Sequence, residues 1–385
     1  MRFADNRNKI GKYIPAVVFL IFIYGMALWF IFSPKPDYSS SEKRYLQKFP
    51  EVTAEKLLSG DFGSEFETFF ADRFPQRNTW VGLNAYTALA EGNNGASGVY
   101  NCKNGYLINK PVSTENNLDK NIGAVADFAK SIDTPTTVML VPSTGYIVDD
   151  VLPTFHDKYN DDEDISRISL TLSKDKIGFV DLRERFKSEY KNGSQLYYKT
   201  DHHWTTKGAY TGYQELCKAL GITPIDDSTL KKDSYPDFYG TTYSSSGFWL
   251  TPPDNIEIWN NPKNSDRNIS VKITEGANIK TSGSMYFTDH LKEDDKYPVF
   301  IDGNHALTEI TNTNAKNGTI LLIKDSFSHS LAPFLAENYS KVVLVDLRYY
   351  KESVSDLVTT YNPEQVVVLY GIDNLATDTD IVWLK

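Results

Sequence analysis

Gly318-Thr319-Ile320-Leu321-Leu322-Ile323-Lys324-Asp325-Ser326-Phe327-Ser328-His329-Ser330 is an apolar run that stops at a charged pair and a serine, then takes on helical character. A continuous Ile/Leu stretch of this length reads as a strand buried on both faces. Two more such runs follow, Lys341 to Leu347 and Gln365 to Tyr370, with helical patterns at Ser330 to Asn338 and Lys351 to Tyr361 between them. Upstream, Leu118 to Ile132 predicts a helix, Thr136 to Pro142 a strand, Asp164 to Ser173 a helix and Ile177 to Leu182 a strand. Buried strands alternating with helices require a parallel sheet covered on both sides, so the expected core is a doubly wound α/β sheet. Ser326 would then sit at the carboxyl end of a strand and the start of a helix, where such sheets bind ligands. The bland alternative is that Asp325 or Ser326 only caps the helix.

The second informative stretch is Lys199-Thr200-Asp201-His202-His203-Trp204-Thr205-Thr206-Lys207-Gly208-Ala209-Tyr210, at the entrance to a helix predicted over Thr206 to Leu220. It holds two of the chain's six histidines, one and two residues after an aspartate. With Ser326 these supply a nucleophile, a histidine base and an orienting carboxylate. In an extended backbone neighbours alternate faces, so Asp201 and His203 share a side and His202 points elsewhere. A structural histidine pair, or a metal site built from Asp201, His202, His203 and His329, competes with this reading. No HExxH or cysteine pattern accompanies the pair, so no metal is expected.

Composition bounds the remaining choices. Acids outnumber bases 50 to 40, giving a net charge of -10, which argues against nucleic-acid binding because neutralising phosphates takes a basic surplus. Hydrophobic residues make up 41% of the 385, enough for a core, and 24 tyrosines with 6 tryptophans suit stacking on sugar rings as well as ordinary packing. The two cysteines, Cys102 and Cys217, have no metal-type spacing. Near the start, residues 1–13 form a basic flank with Arg2, Arg7, Lys9 and Lys12, and Ile14 to Phe32 runs without a charge, close to the ~20 residues that cross a membrane. The flank places the N-terminus inside and the rest of the chain outside. A cleaved signal peptide is the rival, disfavoured by the length of the run and the lack of a small-x-small site.

A linker and helical collar are expected over residues 33–97, with phenylalanines at helical spacing (Phe62, Phe66, Phe69, Phe70). The main domain then spans 98–385, opening on a hairpin around Asn104-Gly105. Residues 228–317 break the helix-strand rhythm and read as a β-rich insertion. Loops of this kind often carry recognition, so Tyr239, Tyr243, Phe248 and Trp249 are candidates to line a glycan groove.

Asp201-His202-His203-Trp204 resembles the motif that names the DHHW family of bacterial envelope proteins, and is similar to the Asp-x-His-Trp motif of proteins that O-acetylate alginate. Asp72-Arg73-Phe74-Pro75-x-Arg77, Lys103-Asn104-Gly105-Tyr106-Leu107, Tyr239-Gly240-Thr241-x-Tyr243-Ser244, Lys324-Asp325-Ser326-Phe327, Pro333-Phe334-Leu335 and Asp346-Leu347-Arg348-Tyr349-Tyr350 extend it over most of the chain after residue 40. The resemblance implies an SGNH-hydrolase-like fold in which Ser326 is the nucleophile, His203 the base and Asp201 its carboxylate. Phe327, through its backbone N–H, and Asn304 are the oxyanion candidates. It departs at Lys324, where the alginate-type Gly-Asp-Ser has glycine. The implied protein is a single-pass membrane O-acetyltransferase of a cell-surface or secreted polysaccharide, its catalytic domain outside, using no cofactor and supplied with acetyl by a membrane-bound O-acyltransferase. A carbohydrate O-acetyl esterase with the same residues, and a non-catalytic polysaccharide-binding or assembly protein, are the alternatives.

Overall fold

The computed structural model describes residues 2–113, 117–265 and 267–384, the side chains of 2–11 and of Val382 excepted. The basic side chains Arg2, Arg7 and Lys9 therefore lie outside the described part. The chain forms two compact units, Met1–Tyr86 and Thr87–Lys385. The first begins with the helix Arg2–Phe32, in which Lys12–Phe32, 21 residues of mean hydropathy 2.4, is long and apolar enough to cross a membrane. Short helices follow at Ala54–Ser59 and Asp61–Asp72. Asp72, buried, accepts from Arg44 Nη1 and Nη2 and from the Gln47 N–H, while the buried Arg73 binds Asp37 and the carbonyls of Lys35, Leu46 and Gln47.

The second unit is built on an eight-stranded sheet. Its order is Asn278–Ser282, Ile269–Glu275, Leu307–Asn312, Tyr339–Val345, Asn317–Lys324, Gln365–Gly371, Thr136–Val141, Gly178–Asp181. The last five run parallel, with Leu322 opposite Leu344 on one side and Val367 on the other, and Val368 opposite Val138. Alternation along each strand assigns every second side chain to one of two cores. Ile320, Leu322, Val342, Leu344, Val367 and Leu369 pack with the helices Thr206–Leu220 and Ser328–Leu335, whereas Leu321, Ile323, Val343, Val345, Val366 and Val368 pack with Asn117–Ser131, Asp161–Lys174 and Val354–Tyr361. Fully burying each such side chain is worth about 1.5–3 kcal/mol, which is why these strands carry apolar residues on both faces. The sheet is thus the expected doubly wound one, mainly parallel with helices on both faces.

The segment 228–317 is less separate than its sequence texture predicts. Three of its strands, Ile269–Glu275, Asn278–Ser282 and Leu307–Asn312, extend the central sheet antiparallel, joined through Ile310 opposite Val342. In Ile269–Glu275 the residues Ile269, Val271 and Ile273 are buried while Ser270 is exposed and Lys272 half-buried, the alternation of a sheet covered on one face. The segment also holds a hairpin of Lys231–Phe238 with Asp254–Asn260, enclosing the short helix Thr241–Ser246, and the single turns Thr288–Lys292 and Tyr297–Val299. At the start of the unit, Val99–Asn101 pairs with Leu107–Asn109 around Asn104 and Gly105, both at positive φ (58° and 78°), as an Asn-Gly turn demands.

Candidate active site

Ser326 stands where Asn317–Lys324 leaves the sheet and the helix Ser328–Leu335 begins. Asp325 fixes this turn. Its Oδ1 accepts from the Phe327 N–H at 3.0 Å, and its Oδ2 accepts from the Gly371 N–H and Asn374 Nδ2, each at 2.7 Å, tying the turn to the end of the neighbouring strand. Asp325 thus anchors the turn, and the helix itself has no side-chain cap. The Phe327 N–H, expected as an oxyanion donor, is spent on this carboxylate, so that expectation is corrected. The Ser326 N–H finds no acceptor among the described residues.

The Asp-His-His-Trp stretch is held from both ends. Asp254, buried, accepts from the Lys199 and Thr200 N–H groups, the Thr200 hydroxyl and Gln195 Nε2. Beyond the motif, Thr205 caps the helix Thr206–Leu220 by accepting from the Gly208 N–H, and Gly221 ends it in the left-handed region. Trp204 is fully buried, its Nε1–H donating to the Phe327 carbonyl and Ser330 Oγ at 2.9 Å each, which locks the motif onto the serine turn.

This brings Asp201, His203 and Ser326 together across 123 residues of sequence. His203 Nε2 lies 2.6 Å from Ser326 Oγ, and its Nδ1 lies 2.5 Å from Asp201 Oδ1. Asp201 Oδ1 also accepts the His203 N–H at 2.8 Å, while Oδ2 accepts from the Thr241 N–H at 2.7 Å and its hydroxyl at 3.1 Å. Burial alone would raise this carboxyl, but His203, His202 and these hydrogen bonds outweigh it and hold Asp201 well below the ordinary carboxylate range. Gly240 is obligatory here, because a Cβ on it would fall 2.1 Å from the Asp201 Cβ. The Tyr239-Gly240-Thr241 motif thus serves Asp201.

Tyr297, unmarked by any motif, lies flat on the His203 ring at 4.0 Å and 10°, its hydroxyl donating to the Ser326 carbonyl at 3.1 Å. Lys324 is 2% exposed, directed to Asp346 Oδ2 and His329 Nε2 at 2.8 Å each. Arg348 grips the same Asp346 through Nε and Nη2 at 2.8 and 2.6 Å. Burial lowers Lys324, with Asp346 opposing. Burial and the Lys324 charge keep His329 well below the ordinary histidine value, hence neutral.

A cavity of about 400 Å³ opens over these groups, lined among others by His203, Tyr297, Asn304, Ser326, His329 and Arg348. A wider cleft of about 790 Å³, at Ile222, Asn261, Asn314 and Asn338, holds none of them. Asn304 Oδ1 accepts from Arg348 Nη2 at 2.9 Å. None of Tyr239, Tyr243, Phe248 and Trp249 lines the 400 Å³ cavity. Phe248 is fully buried, which corrects its assignment to a ligand groove; Trp249 is 41% exposed, and Tyr239 and Tyr243 pack on each other at 4.4 Å. Asp201, His202 and His203 have donor atoms within 4.8 Å of one another, a cation-like spacing, but His203 Nδ1 already gives its proton to Asp201.

The fold has solved relatives. A DHHW family protein from Eubacterium siraeum superposes with a TM-score of 0.63 at 17% identity, over 75% of this chain and 95% of that one. Bacillus cereus PatB1 with a sulfonyl adduct gives 0.61 at 20% identity, over 74% and 97%. The O-acetyltransferase domain of Pseudomonas putida AlgJ gives 0.48 at 14%, over 75% and 95%. No curated protein sequence matches the chain. The DHHW protein profile matches residues 95–345, a span that includes the Asp201-His202-His203-Trp204 motif and Ser326, and the chain therefore belongs to the DHHW family.

Proposed function

We propose that the protein is a membrane-anchored, outward-facing O-acetyltransferase acting on a cell-surface or secreted polysaccharide. The observation that carries this is the continuous hydrogen-bonded line from Asp201 through His203 to Ser326, with a 2.5 and a 2.6 Å contact. His203 takes the Ser326 proton as Oγ attacks the acetyl carbonyl, and returns it to the leaving group. Asp201, ionised, keeps the Nδ1–H tautomer in place and steadies the imidazolium. Among the described residues the Ser326 N–H faces no competing acceptor, and Asn304, whose oxygen is engaged by Arg348, has its Nδ2 hydrogens available for an oxyanion. Lys324 does not obstruct this, since its ammonium is committed to Asp346 and His329.

In the second half-reaction a sugar hydroxyl gives its proton to His203 as its oxygen bonds to the acetyl carbon, the bond to Ser326 Oγ breaks, and the proton returns to Oγ. Water in place of the sugar makes the same site an esterase. The helix Lys12–Phe32 serves as anchor, and the family resemblance supports a membrane-bound O-acyltransferase as the acetyl supplier. The test is Ser326→Ala: acetyl release from p-nitrophenyl acetate and acetylation of envelope polysaccharide should both disappear while the circular dichroism stays native. Full activity in that variant would leave polysaccharide binding without catalysis as the better reading.

A further inference from the structure

His202 stands outside the line from Asp201 to Ser326, yet it is held as firmly as its neighbour. Its Nδ1 lies 2.6 Å from Thr241 Oγ1, and that hydroxyl lies 3.1 Å from Asp201 Oδ2. A hydroxyl has one proton to give, and an ionised carboxylate can only accept. The Thr241 proton therefore points at Asp201, and its oxygen accepts from His202 Nδ1–H. Burial first, and then the neighbouring His203, pull His202 down to about 4, so the ring is neutral at ordinary pH and its Nε2 carries a lone pair. That nitrogen has no partner among the described residues and is not sealed off, on a side chain that lines both the 400 Å³ cavity and the smaller one beside it.

The backbone bends through Asp201-His202-His203 instead of running extended, so His202 does not point elsewhere as expected: both rings turn Nδ1 toward the same carboxylate, His203 at 2.5 Å and His202 at 3.8 Å from Asp201 Oδ1. Their centroids are 3.9 Å apart and the planes 36° from parallel. His203 Nε2 is at Ser326, and the His202 ring, stacked beside it, lines the same 400 Å³ cavity. Once Ser326 is acylated, its oxygen no longer occupies His203 Nε2 with a proton, and the two rings offer two acceptors that suit two donors on one ligand. A carboxylate brings no proton at neutral pH, and a single alcohol hydroxyl donates to only one of the two. A vicinal pair of hydroxyls on a sugar ring fills both.

We infer that His202 Nε2 is the acceptor-binding group that takes a hydrogen bond from the hydroxyl next to the one being acetylated. The inference rests on the acyl-transfer reading above and assigns its acceptor subsite. The attacking hydroxyl loses its proton to His203, while its neighbour keeps its own and orients the ring. Orientation of this kind favours the sugar over water.

The test uses the full chain in detergent, acetylated with p-nitrophenyl acetate and offered either cyclohexanol or a vicinal cyclohexanediol (cis and trans) at equal hydroxyl concentration. The native protein should acetylate one of the diols about tenfold faster than the mono-alcohol, the worth of one good hydrogen bond. His202→Phe should erase that preference, and His202→Gln, which restores an amide oxygen, should recover part of it. A preference that survives His202→Phe, or a native protein that does not distinguish the alcohols, overturns the inference. Absence of a p-nitrophenol burst would instead defeat the acyl-transfer reading. The subsite is then decided by nitrogen-15 NMR of histidine-labelled Ser326→Ala protein, a measurement that also needs no His202 variant to fold. The His202 Nε2 resonance should shift toward the hydrogen-bonded range with a diol and less with cyclohexanol, and no difference between them overturns the inference.

Discussion

Asp201 divides its two oxygens between two histidines, one directly and one through Thr241. Asp201→Asn keeps the shape but replaces an acceptor-only carboxylate with an amide that can hold His203 in the wrong tautomer. We expect kcat for acetyl release to fall by roughly 10⁴-fold with little change in KM, read by steady-state kinetics with p-nitrophenyl acetate. His202 carries a pH signature as well. Its folded value of about 4 lies below the ordinary 6.5, so below 6.5 the unfolded chain binds a proton that the folded chain refuses. The stability it contributes is complete above 6.5 and is lost as pH falls through about 4. Thermal midpoints should drop across that window in the native protein, and less steeply in His202→Phe.

At the scale of elements, the end of Tyr339–Val345 is joined to the serine turn by buried charge. Asp346 is fully buried between Lys324 and Arg348, so Asp346→Ala leaves two cations without their partner and should cost about 3–5 kcal/mol in urea unfolding. Lys324→Met should cost less, because Arg348 still answers Asp346. A second buried carboxyl behaves in the opposite sense to His202. Asp161, at the start of the helix Asp161–Lys174, accepts the Ser143 N–H, and burial followed by the charge of Asp373 raises it to about 7. The folded chain holds a proton here that the unfolded chain releases near 3.8, so the stabilising effect is complete below 3.8 and is lost as pH rises through about 7. Asp161→Asn, neutral at every pH, should therefore raise the thermal midpoint at about pH 8 more than at about pH 5.

For the whole molecule, the proposed topology makes a plain prediction. Protease added to intact cells should digest the chain beyond Ser33, and the protein should stay with membranes after a carbonate wash. Protection of the domain, or its release by the wash, would remove the anchor from the proposal.

How much of this was legible beforehand follows from the range of each interaction. The helix Thr206–Leu220 could be read from its own residues, since the Thr205 cap, the apolar periodicity and Gly221 are local. The same holds for Asn317–Lys324, where apolar side chains on both faces admit a buried parallel strand, and for the Asn104-Gly105 turn. The Asp201 and His203 pair was legible because only one residue separates them. Their meeting with Ser326, by contrast, needed the resemblance or the folded chain. Tyr297 and Asp254 carry no local mark, and Thr241 and Arg348 stood in motifs without a role, because each acts through a contact made only when distant segments are laid side by side. The alternating strands of 228–317 showed that a sheet face was solvated but not which sheet they would join, since pairing partners are chosen by tertiary packing. The Phe327 N–H was misread for the same reason. Sequence determined that a helix begins beside Ser326, whereas only the tertiary structure decided that Asp325, pinned to Gly371 and Asn374, would take that donor first.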